Sequence, residues 1–275
     1  MSLQTLFCLL LFMLIKLTVL SAVIPPFFYV IIPSYNNEQY CINNLQSIAA
    51  QDYPHWKAIY INDDSSDQTG RLIQQYVQQN NLQHKFKIVN NLRRQGMLAN
   101  IYRAVKKAKP NWIIATVDGD DTLRDNTVLS YLASIYQKKK IWMTYGSWES
   151  NPLGARVSNC APFPSRVIKK RKFRSYKYVS SQLRTFYAAL FQRIKKRYLC
   201  YKGDFFMAAG DVAFIMPLLE MSSKRHIHYV RKILYNYNVI NPLNDFRQNA
   251  ALQGQCSSLI RKKKPYKPLK KAFWR

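Results

Sequence analysis

After residue 25 the chain alternates between short apolar runs of β-prone residues and longer segments whose apolar side chains recur at helical spacing. The apolar runs predict five strands, at residues 27–32, 57–62, 85–89, 112–117 and 141–146. The segments between them predict four helices, at residues 38–51, 71–79, 97–108 and 126–139. Strands that alternate with helices predict an α/β fold with a mostly parallel sheet covered on both faces.

Beyond about residue 150 this alternation stops. An apolar stripe predicts a helix over residues 180–199, and a second, short helix is predicted over 211–221 with an interruption near Pro217. Residues 227–240 are rich in β-formers and predict a strand. The chain after Ser258 is basic and lacks apolar periodicity, so we expect it to fray unless it lies on a membrane.

Polar clusters follow four of the predicted strands directly. They read PSYNN, NDDSSD, NNLRRQG and DGDD in chain order, and Asp67 is a plausible N-cap for the helix after the second cluster. The carboxyl ends of parallel strands meet at one edge of a sheet, and open α/β sheets bind ligands there. The sequence therefore predicts a binding site built from these clusters.

The DGDD cluster places Asp118, Asp120 and Asp121 within four positions. Carboxylates this close repel one another and raise each other's pKa unless a positive charge lies between them. Hard oxygen ligands suit Mg²⁺ or Mn²⁺, and a cation held by one or two carboxylates keeps positions open for substrate phosphates. The alternative is a solvated turn, or a helix cap formed by Asp121.

Two neighbouring clusters carry chemistry that suits a nucleotide. Asp63 and its neighbours can accept hydrogen bonds from a base or ribose, and Arg93 and Arg94 suit phosphates because a guanidinium binds them bidentately. Neither a GxGxxG fingerprint nor a GxxxxGK[ST] loop occurs in the sequence. With those two loops excluded, the expected ligand is a nucleotide diphosphate bound through a metal.

The formal net charge of +28 is unevenly distributed. Residues 166–275 hold 26 of the 42 basic residues and only 4 of the 14 acidic ones. The runs KKRKFR (169–174) and RKKKPYKPLKK (261–271) favour an anionic surface as partner. The five cysteines show no CxxC or Cys/His spacing, which favours a reducing compartment over a disulfide framework or a zinc site.

Residues 6–24 form a run of 19 residues whose one charge is Lys16. This length suffices for a membrane-spanning helix. A cleaved secretory signal is the alternative, but the preceding MSLQT lacks a basic region. We therefore predict a membrane anchor, with the downstream basic residues keeping the following domain on the cytoplasmic side.

Four motifs in this order and spacing resemble the family 2 glycosyltransferases, which have the GT-A fold. They are VIIPSYNN (30–37), INDDSSD (61–67), NNLRRQGMLANI (90–101) and DGDD (118–121). Weaker similarity to acceptor-side segments extends to LRTF (183–186), GDVAFIMPLLEM (210–221) and LYNYNVINPLNDFR (234–247). The resemblance implies a nucleotide-sugar-binding half (25–150) and a helical acceptor-side half (151–257), which lie between the N-terminal membrane anchor or signal segment (1–24) and the basic tail (258–275).

The resemblance also implies roles for individual residues. Asp211 in AAGDVAF matches the general base, and His228, or less favourably His226, would complete a metal shell with Asp118 and Asp120. Asn62 stands where many family members have Asp. The expected donor-binding residues are Pro33, Tyr35, Asn36, Asp63, Arg94 and Asp118.

The implied activity is that of an inverting hexosyltransferase that uses Mn²⁺ or Mg²⁺. It would move a sugar from a nucleotide-diphosphate donor, a UDP-sugar in first place, to a hydroxyl of a glycan, lipid or protein acceptor. A nucleotidyltransferase of similar fold is disfavoured because PSYNN lacks glycine, and an inactive scaffold is disfavoured because DGDD is intact. A nucleic-acid-binding protein is suggested by the pI of about 10.0 and by KKRKFRSYKY, but the basic residues lie outside the motif edge. We therefore expect an anionic membrane surface, and no nucleic acid, as partner.

Overall fold

The computed structural model describes residues 24–138, 140–152, 154, 160–222, 225–244 and 248–271. The predicted membrane segment, residues 6–24, lies outside the described residues except for Ile24. Across these described ranges no helix is long and apolar enough to cross a bilayer.

Twelve strands occur in the described part of the chain. They are β1 (Phe28–Ser34), β2 (Trp56–Asn62), β3 (Phe86–Asn90), β4 (Ile113–Thr116), β5 (Thr122–Leu123), β6 (Met143–Gly146), β7 (Glu149–Asn151), β8 (Ser181–Tyr187), β9 (Cys200–Tyr201), β10 (Asp204–Phe205), β11 (Ile227–Tyr229) and β12 (Tyr235–Asn238). Seven of them form one sheet in the order β11-β6-β8-β4-β1-β2-β3, in which β8 alone runs antiparallel to its neighbours. β5, β12 and β7 form a small second sheet beside it, and β9 pairs with β10.

Helices cover both faces of the large sheet. The described residues form α1 (Cys41–Ala49), α2 (Thr69–Gln79), α3 (Met97–Lys107), α4 (Val128–Lys138), α5 (Ser165–Lys170), α6 (Ala188–Gln192), α7 (Gly210–Met221) and α8 (Ala250–Lys262), with a 3₁₀ turn at Lys196–Tyr198. α1, α2 and α4 pack together on one face, and α3 packs with α6 and α7 on the other. The apolar spacing of Leu98, Ile101 and Val105 on α3 explains this burial, since all three side chains point into the core. The predicted α/β architecture is therefore confirmed.

The prediction of one helix over residues 180–199 is wrong. Ser181–Tyr187 is instead a strand inserted between β4 and β6, and α6 follows it. Leu183, Phe186 and Tyr187 lie three and four positions apart, which fits helical spacing, although all three belong to a strand whose residues from Gln182 to Tyr187 are buried. Pairing with two neighbouring strands decides the outcome, and the acceptor-side half is consequently not purely helical.

Three smaller predictions in this half are also corrected. Residues 227–240 form two strands, β11 and β12, which belong to different sheets. α7 continues through Pro217 without interruption. Residues 259–271 do not fray, because α8 extends to Lys262 and Ile260 is buried.

A buried ion pair fixes this C-terminal segment to α7. Glu220, at 0% exposure, accepts hydrogen bonds from Arg174, with Nη2 at 3.0 Å from Oε2, and from the Tyr266 backbone N–H at 2.9 Å. Arg174 also donates to the Ile260 carbonyl. Residues 263–271, which continue past α8, are thus held in place because the Tyr266 N–H donates a hydrogen bond to a buried carboxylate.

We expect Arg174→Met to lower the free energy of unfolding by about 3–5 kcal/mol, since it removes the ion-pair partner of a carboxylate buried in the core. Urea denaturation at pH 7 measures this loss. The control is Lys232→Met, which breaks an exposed pair with Asp125 at 3.5 Å and should cost less than about 1 kcal/mol. Equal small losses in both variants would contradict the prediction.

Candidate active site

A cleft of about 940 Å³ opens at the carboxyl ends of β1 and β4, between the strand termini and the first turn of α7. It brings together side chains from motifs that are up to 180 positions apart in the sequence. The predicted site residues that line it are Pro33, Tyr35, Asn36, Arg94, Asp118, Asp120 and Asp211. Two predicted residues, Asp63 and His228, do not line this cleft.

The DGDD turn is held in place by hydrogen bonds to its backbone atoms. Asn44 Nδ2 donates to the carbonyls of Asp118 at 2.9 Å and Asp121 at 2.7 Å, and the Gly119 N–H donates to the Pro33 carbonyl at 3.1 Å. Gly119 therefore lies directly against the end of β1. A side chain at this position would collide with Ser34.

We expect Gly119→Ala to lower the free energy of unfolding by about 1–3 kcal/mol through overpacking. The new Cβ would lie 2.5 Å from Ser34 Cβ, and Ser34 Oγ is held by Tyr60 OH at 2.9 Å and Asn37 Nδ2 at 3.0 Å. Gly254→Ala in α8 is the control, since its Cβ meets open space and alanine favours a helix by about 1 kcal/mol. Chemical denaturation should give opposite signs for the two variants, and the same sign would contradict this account.

Asp121 has a structural role. Its buried carboxylate accepts hydrogen bonds from Tyr235 OH and the Asn238 N–H, each at 2.7 Å, and so attaches β12 to the turn. Burial, followed by repulsion from Asp120 and Asp118, raises the pKa of Asp121 well above its ordinary value, against these hydrogen bonds. The presence of Asp121 in the cluster of three carboxylates is thus explained by its structural role.

Asp118 and Asp120 face the cleft. Burial and then the charge of Asp120 raise the pKa of Asp118 to about 6, and the nearby Arg184 and a hydrogen bond from Gln182 Nε2 at 3.1 Å partly offset this. Asp120 accepts a hydrogen bond from Asn241 Nδ2 at 2.6 Å. Burial and the neighbouring charge of Asp120 thus disfavour the ionised form of Asp118.

These two carboxylates fit a divalent cation that takes its remaining ligands from a substrate. They supply hard oxygen donors, and their mutual repulsion favours a positive charge between them. Within the described ranges no group of three or more His, Cys, Asp or Glu side chains could hold a metal by itself. A cation held by two carboxylates keeps its other positions open for water and substrate oxygens.

Across the cleft, Asp211 lies in the first turn of α7. Its Oδ2 accepts hydrogen bonds from Arg184 Nη2 at 2.7 Å and Tyr178 OH at 2.8 Å, and its Oδ1 accepts the Val212 N–H at 2.8 Å. Burial alone would lower the pKa of Arg184, but Tyr178, Asp211 and Asp118 raise it above its ordinary value. The guanidinium therefore keeps its charge and orients the carboxylate.

Sequence reasoning missed Arg184, Tyr178 and Gln182 as site residues. Arg184 carries the one charge in the apolar run LRTFYAALF (183–191), and a lone cation in such a run was the available signal. A helix over residues 180–199, as predicted, does not place Arg184 at the binding edge of the sheet. On the observed strand, β8, Arg184 is 5% exposed and reaches the cleft between Asp118 and Asp211.

Asp63 lies beneath the loop of residues 91–96. Its carboxylate accepts hydrogen bonds from Asn91 Nδ2 at 2.6 Å, the Gln95 N–H at 2.9 Å and the Gly96 N–H at 2.8 Å. This loop presents Arg94, whose guanidinium lies 3.9 Å from the centre of the Tyr35 ring. Asp63 thus positions Arg94, and its direct contact with a nucleoside stays a prediction.

The loops after β1 and β2 are tied together beside the cleft. The Asn36 N–H donates to Ser65 Oγ at 2.9 Å, and Asn36 adopts a left-handed backbone with φ of 51°. Asp67 accepts the Thr69 N–H at 2.9 Å and the Glu38 N–H at 3.0 Å. The N-cap of α2 is Gln68 rather than the predicted Asp67, but Asp67, one position earlier, binds the first N–H of the helix and also holds the loop that carries Tyr35 and Asn36.

His228 is separated from the aspartates. It lies on β11, opposite Thr144 of β6, and β11 is three strand positions from β4. At about 4.8 Å per strand this is a separation of roughly 14 Å. His226 lies further along the same edge and stacks on Trp142 at 3.8 Å. We therefore retain neither histidine as a metal ligand.

Comparison with known proteins agrees with this geometry. The sequence profile of glycosyl transferase family 2 matches residues 29–199, which is more than half of the chain. The chain belongs to this family. The predictions of a family 2 glycosyltransferase and of an enzyme are confirmed.

Two curated relatives are similar over part of this glycosyltransferase. Poly(ribitol-phosphate) beta-N-acetylglucosaminyltransferase TarS of Staphylococcus aureus is 32% identical over 110 residues, which is 39% of this chain and 18% of TarS. The putative teichuronic acid biosynthesis glycosyltransferase TuaG of Bacillus subtilis is 30% identical over 96 residues, which is 35% of this chain and 36% of TuaG. The match thus spans well under half the length of either relative.

Solved structures share the fold. A mannosyltransferase from Pyrobaculum calidifontis, PcManGT, in complex with GDP-Man and Mn²⁺, has a TM-score of 0.59 at 16% identity over 88% of this chain and 66% of its own. S. aureus TarS in complex with UDP has a TM-score of 0.57 at 20% identity over 78% of this chain and 60% of its own. At these identities the likeness establishes the fold, and the predicted GT-A class is confirmed.

Proposed function

We propose that this glycosyltransferase transfers a sugar from a UDP-sugar to an acceptor hydroxyl, with a divalent cation and with inversion at the anomeric carbon. One observation carries the proposal: Asp118 and Asp120 line the same cleft as an oriented carboxylate, Asp211. Support for the donor comes from TarS, solved with UDP and with UDP-GlcNAc, and from PcManGT, solved with GDP-Man and Mn²⁺.

The donor side of the cleft would hold the diphosphate. Asp118 and Asp120 would bind Mn²⁺ or Mg²⁺, which when bound offsets the negative charge of the leaving diphosphate. Arg94 offers a guanidinium for phosphate oxygens, and its stacking on Tyr35 keeps it at the cleft. The loop of Pro33, Tyr35 and Asn36 borders this side and would approach the base.

The acceptor side of the cleft would supply the base. Asp211 would take the proton of the acceptor hydroxyl as that oxygen attacks the anomeric carbon. Arg184 and Tyr178 bind Oδ2 and thereby fix the carboxylate's orientation before the acceptor arrives. A single displacement by the acceptor inverts the anomeric centre. Trp148 and Tyr237, with ring centres 4.8 Å apart, line the cleft and offer an apolar face to a sugar.

The donor half of the proposal is tested by calorimetric titration of the full chain with UDP, with and without Mn²⁺. We expect binding that requires the metal and weakens about 10- to 100-fold in Asp120→Asn, which keeps the shape but removes the charge. Asp52→Asn, an exposed change outside the cleft, should bind as the wild type does. Binding that is equally tight without metal, or in Asp120→Asn, would refute the metal-assisted donor site.

A further inference from the structure

We propose that the edge of the large sheet opposite the cleft docks on an anionic lipid bilayer. The amino-edge basic surface is defined here as residues 106–109, 166–172, 193–197 and 262–271. These four segments contain 18 lysines and arginines and no acidic residue, and most of the basic side chains are exposed. This charge is distinct from Arg94 and Arg184, the cations that line the cleft among the described residues.

The fold brings the four segments together although they are far apart in the sequence. Arg171 Nη2 donates to the Tyr266 carbonyl at 2.9 Å, and Tyr266 OH accepts the Lys195 N–H at 2.8 Å. Lys106 Nζ donates to the Gln192 carbonyl at 3.1 Å, which joins the end of α3 to the residues that precede Lys195. The positive charges therefore form one surface rather than separate patches.

The apolar N-terminal run joins the domain at the same edge. The Ile113 N–H donates to the Phe27 carbonyl at 2.8 Å, and the rings of Phe27 and Trp112 stack at 4.7 Å. The Trp112 carbonyl accepts the Ala188 N–H at 2.8 Å, so the start of α6 lies beside the entry to β1. Residues 6–24 thus precede a point that adjoins the amino-edge basic surface.

Position and aromatic packing favour a bilayer as the occupant. The cleft lies at the other end of β1, which at about 3.3 Å per residue is roughly 20 Å away, so these charges are remote from the donor and acceptor. Single-stranded nucleic acid needs exposed rings for base stacking. Tyr198 and Tyr266 instead pack against each other at 4.6 Å and are partly buried. Anionic headgroups attract a basic surface of this kind.

The test measures partition of the full chain onto phosphatidylcholine vesicles and onto vesicles that contain 30% phosphatidylglycerol. Residues 6–24 are expected to contribute equally to binding on both kinds of vesicle, so their contribution cancels in the ratio of the two partition coefficients. The test variant is Lys172→Gln with Lys195→Gln and Lys264→Gln, three exposed side chains from three segments. The matched control is Arg71→Gln with Lys87→Gln and Arg231→Gln, which removes three exposed charges elsewhere.

We expect the ratio to fall about a hundredfold in the test variant, since each removed charge near an anionic surface is worth about fivefold. It should stay within about threefold in the control, and UDP binding should be unchanged in both, which separates this result from any failure of the donor site. An equal fall in both variants, or a wild-type ratio near one, would overturn the proposal. A wild type that binds an RNA oligonucleotide in preference to anionic vesicles at matched phosphate concentration would also overturn it.

Discussion

Asp211→Asn is expected to lower the turnover of sugar transfer by about 10²- to 10⁴-fold with a much smaller change in UDP affinity. An amide cannot accept the acceptor's proton, whereas it can keep the shape of the carboxylate and its contacts with Arg184 and Tyr178. Asp211 is not one of the proposed metal ligands, so its charge acts on the donor site only through its electrostatic effect on Asp118. The measurement is UDP release under saturating donor, with transfer to water as the reaction until an acceptor is identified.

Two controls separate this effect from loss of structure. Asp204→Asn removes an exposed carboxylate from β10 and should retain full turnover. Tyr178→Phe removes one hydrogen bond to Asp211 Oδ2 but keeps the base, so it should cost far less than Asp211→Asn. Urea denaturation checks that each variant folds, because Asp211→Asn leaves Arg184 with less compensating charge. A folded Asp211→Asn enzyme with turnover within threefold of wild type would exclude Asp211 as the base.

The first half of the fold was predictable because local patterns there coincide with tertiary structure. Each of β1 to β4 is an apolar run followed by a polar cluster, and parallel packing requires those clusters to meet at one edge. The cleft residues Tyr35, Arg94 and Asp118 follow from that rule alone. Gly119 is explained in the same way, since the turn must pass close to the end of β1.

The second half was harder to predict because its contacts depend on sheet order, which local spacing does not encode. β8 enters between β4 and β6 in the opposite direction, and only that insertion brings Arg184 within 2.7 Å of Asp211, 27 positions away. The C-terminal segment likewise shows no apolar period, and long-range polar contacts hold it, among them the hydrogen bond from the Tyr266 N–H to the buried Glu220. Single long-range polar contacts of this kind leave almost no trace in hydrophobic periodicity.

Asp118→Asn is expected to lower sugar transfer by roughly 10² to 10⁴-fold, the size of a lost metal contribution to the transition state. The same variant should be more stable than the wild type when the metal is chelated. The pKa of Asp118 is about 6 in the folded chain against an ordinary value of 3.8, so ionising this carboxyl opposes folding. Removing the charge should therefore raise the free energy of unfolding at pH 7 by up to about 3 kcal/mol.

The pH dependence of that gain identifies its cause. Well below pH 4 the Asp118 carboxyl is protonated in both the folded and the unfolded chain, so Asp118→Asn and wild type should be equally stable there. The difference should grow between pH 4 and 6, where the unfolded chain has lost this proton and the folded chain still holds it, and should remain constant above about 6, where both have lost it. Asp125→Asn is the control of opposite sign, since the Thr127 hydroxyl and then its N–H and Lys232 lower the pKa of Asp125. Its charge favours folding above pH 4, and its removal should destabilise. An Asp118→Asn variant that is inactive and also less stable at pH 7 would show that Asp118 supports the fold. A variant that loses transfer but gains stability would show that the Asp118 charge destabilises the fold and is kept for the reaction.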